Sequence, residues 1–161
     1  MHRTVFIGVL FLAASCASLQ PPDLRPGSSS LDDVHRTLGQ PALDLPNPDG
    51  SRVLAYPKGY YTGQTYIVHV GSDGLVRSSE QVLNEDHFYR IVAGLTRDDV
   101  LRRLGPPIET MEFARLQQVA WDYRYRDTWG YDAVLSVMFD MNGIVVGKVS
   151  RRIDRGDDKR K

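Results

Sequence analysis

Apolar and polar positions along the chain fall into one pattern that occurs twice. Ser30-Leu31-Asp32-Asp33-Val34-His35-Arg36-Thr37-Leu38-Gly39-Gln40-Pro41 returns as Thr96-Arg97-Asp98-Asp99-Val100-Leu101-Arg102-Arg103-Leu104-Gly105-Pro106-Pro107, with seven of the twelve aligned residues identical. Each copy reads as a short helix with both ends written in. Ser30 and Thr96 suit the N-cap, and Asp33 and Asp99 stand at the capping-box spacing. The paired aspartates lie in the first turn, where the helix dipole favours negative charge. Val34 with Leu38, and Val100 with Leu104, are four apart and share one buried face. Gly39 and Gly105 are read as left-handed C′ residues, followed by proline, which cannot continue a helix.

Strands follow each helix. Period-2 alternation and apolar runs predict them near 52–57, 64–70 and 75–83, and again near 117–126, 132–140 and 144–152. Tyr66, Val68 and Val70 alternate with Thr65, Ile67 and His69. Trp121, Tyr123 and Tyr125 point one way, and Asp122, Arg124 and Arg126 the other. The aromatic set is expected to cover the helices. Asp73-Gly74 and Asn142-Gly143 are hairpin signals between apolar runs. Leu54-Ala55-Tyr56 lines up with Val119-Ala120-Trp121. Residues 42–51, with Pro46, Pro48 and Asp49-Gly50, read as loop. The order helix, strand, hairpin therefore occurs twice, at a spacing near 66 to 69 residues, as in a duplicated small α+β unit. The second copy adds a short helix after Asn84, with Phe88 and Ile91 on one face; Pro21 and Pro22 occupy the matching place in the first.

The expected organisation is a signal peptide over residues 1–15, a Cys16-led linker over 16–29, a first repeat over 30–83, a second over 84–152 and a charged tail over 153–161. Val5 to Ala14 is an apolar run behind Arg3, too short to span a bilayer. Pro21, Pro22, Pro26 and Gly27 mark the linker.

Composition narrows the function. The 161 residues are 42% apolar and 25% charged, with zero formal net charge. That balance argues against a general nucleic-acid binder. Cys16 is the one cysteine, so no internal disulfide can form. His35, His69 and His87 lack metal-ligand spacing, and no nucleophile elbow or phosphate loop is present. Asp140-Met141-Asn142-Gly143 lacks the ligand series of a calcium loop. Asp32-Asp33 and Asp98-Asp99 are accounted for by capping. No catalytic residue, cofactor, metal site or small-molecule substrate is assigned, and the chain is read as a non-enzyme.

Two loops are dense in exposed-looking aromatics. One is Tyr56 to Tyr66, containing Tyr60 and Tyr61; the other is Thr128-Trp129-Gly130-Tyr131-Asp132. Tyrosine and tryptophan are enriched at interaction hot spots, so Tyr60, Tyr61, Trp129 and Tyr131 are the candidate partner contacts. A rigid hairpin loop is the plainer use of such segments.

Leu12-Ala13-Ala14-Ser15-Cys16 resembles a bacterial lipoprotein signal, with Ala13 where such signals usually carry Leu. The resemblance implies cleavage before Cys16 and lipidation of that residue, which holds the protein at a membrane. An ordinary signal peptide, with Cys16 incidental, is the alternative. Ala17, rather than Asp, implies the outer membrane. Beyond the signal, Gly27 to Pro41 and Gly94 to Pro107, each followed by an aromatic strand at Tyr56 or Trp121, resemble the BamE (SmpA/OmlA) lipoprotein family. That resemblance implies an α+β fold of two tandem units, each with short helices packed on a three-stranded antiparallel meander. The tandem form is also similar to β-lactamase-inhibitor-type folds. The family's named member serves the β-barrel assembly machinery with one such unit, where this chain carries two. The implied role is a periplasm-facing outer-membrane lipoprotein that binds protein, either helping outer-membrane assembly or envelope integrity, or inhibiting a periplasmic enzyme.

Overall fold

A computed structural model describes residues 23–153. Cys16, the expected signal peptide and most of the expected tail lie outside the described residues. After helix α1 (Leu31–Leu38) come strands β1 (Leu43–Pro46), β2 (Arg52–Pro57), β3 (Thr65–Val70) and β4 (Val76–Gln81). Helices α2 (Glu85–Phe88) and α3 (Arg97–Leu104) then precede β5 (Glu109–Phe113), β6 (Gln118–Arg126), β7 (Asp132–Asp140) and β8 (Val145–Arg152). The strands form two antiparallel four-stranded sheets, ordered β1-β2-β3-β4 and β5-β6-β7-β8.

This corrects the expected fold. The chain is mostly two four-stranded sheets with a few short helices, and not helices laid on three-stranded meanders. The added strands are β1 and β5. β1 lies in the segment read as loop because of its prolines, but Pro46 ends an edge strand, where a missing N–H is tolerated. Leu43 and Leu45 alternate against the core there. β5 is not predicted because it is a mostly exposed edge in which Glu109, Thr110 and Glu112 leave only Met111 and Phe113 as a short apolar alternation.

Both capped helices form as the sequence predicts. Ser30 Oγ accepts from the Asp33 N–H at 3.2 Å, and the Ser30 N–H donates back to Asp33 Oδ2 at 2.9 Å. Thr96 and Asp99 repeat this at 3.1 and 2.9 Å. The C-terminal glycines differ from expectation. Gly39 has φ 80° and ψ −156°, and Gly105 φ 78° and ψ −166°. These are not left-handed helical values but the extended positive-φ region open essentially to glycine alone. Each helix start is also stitched to a hairpin tip: Leu31 N–H donates to Gly74 O at 3.0 Å, and Arg97 N–H to Gly143 O at 3.1 Å.

The first sheet is buried on both faces. On one, Leu54, Tyr56, Tyr66, Val68 and Val70 meet Val34 of α1. On the other, Val53, Ala55 and Ile67 join Val100 and Leu104 of α3 in a core shared with Tyr123, Leu135, Val137 and Phe139 of the second sheet. α3 therefore lies between the two sheets. That explains why both alternating sets of β2 and β3 are apolar, the mark of a strand buried on two sides. Arg102 of α3 closes the same junction, donating to Asn47 Oδ1 at 2.9 Å and Leu45 O at 3.3 Å.

The expected alignment of Tyr56 with Trp121 is displaced by two residues. The Tyr56 hydroxyl donates to Gly39 O at 3.3 Å, and the Tyr123 hydroxyl to Gly105 O at 3.2 Å, so Tyr123 is the counterpart. Trp121 instead packs beside Phe139, ring centroids 4.7 Å apart.

Candidate functional site

The β2–β3 loop reaches the second sheet through a glycine. Gly63 sits at φ 61°, and a Cβ there would stand 3.0 Å from Tyr125 Cα and 3.2 Å from its carbonyl carbon. Only a residue without a side chain lets the loop backbone lie this close to β6. The loop thereby delivers Tyr60 and Tyr61 to Arg124. Their rings meet edge-on at 5.0 Å, and the Arg124 guanidinium carbon lies 5.2 Å from one centroid and 5.6 Å from the other. Arg124 itself is 8% exposed and donates to Asp132 Oδ2 at 3.3 Å. A desolvated guanidinium against two rings is a stronger contact than the same pair in water.

Beside it lies a groove of about 220 Å³ whose walls include Pro57, Tyr60, Pro106, Pro107, Ile108 and Arg124. It is rimmed by proline and aromatic rings, which lose little freedom on contact, and holds one cationic group.

The β6–β7 hairpin presents the other pair from a turn built on Asp127. Its Oδ1 accepts from the N–H groups of Trp129 at 3.0 Å and Tyr131 at 2.9 Å, and its Oδ2 from Arg152 Nε at 2.6 Å. Burial pulls the carboxyl pKa up, and the Tyr131 and Trp129 N–H groups with the Arg152 guanidinium outweigh it, leaving it below the ordinary range. Arg152 also lies 4.7 Å from the Tyr131 ring centroid. The turn holds Trp129 78% exposed and Tyr131 58% exposed, while Tyr61 is 75% exposed and Tyr60 48%.

The structure thus joins Tyr60 with Tyr61 on Arg124, and holds Trp129 and Tyr131 on the Asp127 turn. Ring contact between the two pairs is absent among the described residues. They lie at one end of the second sheet, since Gly63 abuts Tyr125 and the Asp127 turn begins two residues later. Trp121, Tyr123 and Tyr125 belong to the core, as expected, and Cys16 is outside the described residues. Sequence reading missed Arg124, Arg152 and Asp127. Asp127 had a local signal, an aspartate opening a turn that closes on Gly130. Arg124 had none, because its tyrosines come from the other sheet's loop.

A second cleft, about 450 Å³, lies where α2 and α3 meet the first sheet, with His69, Glu80, His87, Arg90 and Arg103 among its walls. Burial pushes the His69 imidazole below its usual range, and Glu80 opposes this. His87 Nε2 stands 3.6 Å from Glu80 Oε2. The cleft lining contains no serine, threonine or cysteine to act as a nucleophile. Among the described residues no group of three histidine, cysteine or acidic side chains could hold a metal ion, and no helix is long and apolar enough to cross a membrane.

No known protein-family model matches the chain. No curated protein matches it either. Among solved structures it is similar to a DUF4309 family protein, YjgB, from Bacillus subtilis, at 14% identity over 82% of this chain and 83% of that one, with a TM-score of 0.32. It is also similar to a Streptococcus mutans protein described as a "putative beta-lactamase inhibitor protein", at 12% identity over 78% and 84%, with a TM-score of 0.31. Likenesses this distant assign neither an activity nor a partner.

Proposed function

We propose that this chain is a non-enzymatic protein-binding module, lipid-anchored through Cys16 in the bacterial outer membrane and facing the periplasm. The observation that carries the binding role is the convergence of the β2–β3 loop and β6–β7 hairpin at one end of the second sheet. That end offers rigid, exposed aromatic rings beside an apolar groove and a half-satisfied arginine, the composition of an interaction hot spot. The anchor and compartment rest on the lipobox-like run to Cys16 and on Ala17. We also infer that residues 30–83 and 84–152 are copies of one ancestral unit. The matched capping boxes, C-terminal glycines and tyrosine–carbonyl bonds support this.

The preferred partner is a component of the outer-membrane assembly apparatus, the role implied by the BamE-like sequence pattern. The test is a photo-crosslinking residue at Tyr61 or Trp129, with exposed Asp32 as control, in wild type and Cys16→Ala, with products read by mass spectrometry. Assembly subunits captured from both positions, and lost with the anchor, would bear out the full reading. A soluble periplasmic enzyme captured equally in both backgrounds would make the chain a sequestering inhibitor. Capture no greater than at Asp32 would overturn the binding surface.

A further inference from the structure

The two free edges of the second sheet carry opposite charge. β5 presents exposed Glu109 and Glu112, and β8 presents exposed Lys148, Arg151 and Arg152. Of these, Lys148 Nζ also donates to Phe88 O and Ile91 O, and Arg152 Nε to Asp127 Oδ2, leaving Arg151 unengaged among the described residues. Among the described residues neither outer edge has a strand beside it, although Gly94 and Leu95 bond the backbone of Val145 at the start of β8, ahead of Gly147 to Arg152. Charges on an edge strand normally discourage a second chain from adding there. Opposite charges on the two edges of one sheet do the reverse for a second copy.

The registers supply a geometric check. Glu109 pairs with Asp122, Asp122 with Ser136 and Ser136 with Val149, so these share the face turned away from α3. Met111 and Phe113 lie on that face of β5, and Gly147, Val149 and Arg151 on that face of β8. Thr110 and Glu112, like Lys148 and Ser150, lie on the opposite face. The sheet alternates in direction, so β8 of one molecule beside β5 of another continues the antiparallel order. Setting Glu109 opposite Arg151 then sets Thr110 opposite Ser150, Met111 opposite Val149, Glu112 opposite Lys148 and Phe113 opposite Gly147. Every pair shares a face, two pairs are oppositely charged, one is apolar, and one lays a ring over a glycine.

A second observation marks β5 as incomplete. Glu109 stands directly opposite Asp122, a like-charge pair that costs stability. Asp122 is 4% exposed, and its buried Oδ1 has no hydrogen-bond donor among the described residues. Glu109, Glu112 and Arg151 take part in no ion pair among the described residues. The first sheet differs. Its edge β1 is four residues long and ends in proline, Asp44 is held by Arg52, and on β4 Arg77 is held by Asp73.

We propose that β8 of one molecule adds to β5 of the next, so that this chain recognises a second copy of itself head to tail. The contact is heterologous and leaves a free β5 and a free β8 at its ends, so it extends rather than closing as a symmetric dimer. Five strand pairs bury less than the roughly 1,200 Å² of a stable interface, so association is weak and concentration-dependent.

The test uses the full chain with Cys16→Ala, which removes the one native thiol. Thr110→Cys with Ser150→Cys is expected to give a ladder of disulfide-linked species under mild oxidation, and each single variant much less. In sedimentation, Arg151→Glu and Glu109→Arg are each expected to weaken self-association by about tenfold, and the two together to restore it. Restoration by the pair separates a broken contact from a damaged fold. A chain that stays monomeric at the highest attainable concentration, single-cysteine variants that cross-link as well as the double, or no rescue by the charge exchange would each overturn the proposal.

Discussion

The hydroxyl of Tyr123 donates to the carbonyl of Gly105 at 3.2 Å and ties the middle of β6 to the end of α3. Tyr123 is fully buried, so no water can replace the bond. Tyr123→Phe is expected to lower stability by about 1–3 kcal/mol, the range for a buried acceptor left unpaired. Urea denaturation with an unchanged slope would check it.

Tyr123 and its counterpart Tyr56 make the fold sensitive to alkali. Burial and the Asp44 carboxylate push the Tyr56 phenol up to about 12, and burial pushes Tyr123 up further. The folded state therefore holds these protons more tightly than the unfolded chain does. Their stabilising contribution is complete below about pH 10, the unfolded value, and is lost as pH rises through the folded one. The urea midpoint is expected to fall between pH 10 and 12, and to fall less steeply in Tyr56→Phe.

The capping aspartates act at the opposite end of the scale. Hydrogen bonds from the Ser30 N–H and hydroxyl hold Asp33 below the ordinary carboxylate range, and those from the Thr96 hydroxyl and N–H hold Asp99 there. Their contribution is present above about pH 4 and is lost as pH falls through their lowered values. Thr96→Ala is expected to cost about 1 kcal/mol at neutral pH, and less at pH 2, as thermal unfolding at the two pH values would show.

Gly63→Ala tests how the aromatic end is built. The added Cβ meets β6 backbone, which cannot step aside, at a φ that side chains rarely adopt. A loss of about 1–2 kcal/mol is expected, together with reduced cross-linking from Tyr61 but not from Trp129. Equal loss at both positions would mean that the two loops do not move independently.

Arg102→Ala removes the bonds from α3 to Asn47 and Leu45. A loss of about 2 kcal/mol is expected, since charge-assisted bonds are involved. Arg102→Lys should recover little of it, because one ammonium cannot reproduce the fork. Differential scanning calorimetry would show whether the two sheets still melt together.

Local signals were legible in the sequence and distant ones were not. Ser30-x-x-Asp33, Thr96-x-x-Asp99, Asp73-Gly74 and Asn142-Gly143 specify caps and turns through neighbours a few residues away. The paired strand 132–140 fell where its alternation placed it. β5 stayed invisible because an exposed edge needs no apolar stripe. The apolar character of both faces of β2 and β3 was present as the runs Val53 to Tyr56 and Tyr66 to Val68. The period-2 pattern of Tyr66, Val68 and Val70 against Thr65, Ile67 and His69 does not by itself reveal a helix packed on the second side. At the candidate site, the exposed aromatics stood out by type. Their anchor Arg124 could not, because the contact joins loop and strand more than 60 residues apart in a chain of 161.

Burial of the first sheet by α3 imposes an order on folding. Val53, Ala55 and Ile67 precede the helix that covers them by about 30 residues or more. In a chain that emerges N-terminus first, from the ribosome or across a membrane, α1 can dock on its side of the sheet while the opposite side stays wet and adhesive. A polypeptide halted near residue 90 would carry that apolar face into solution, a substrate for chaperones and proteases. The later half therefore acts as an intramolecular escort for the earlier one, needed until Val100 and Leu104 are in place.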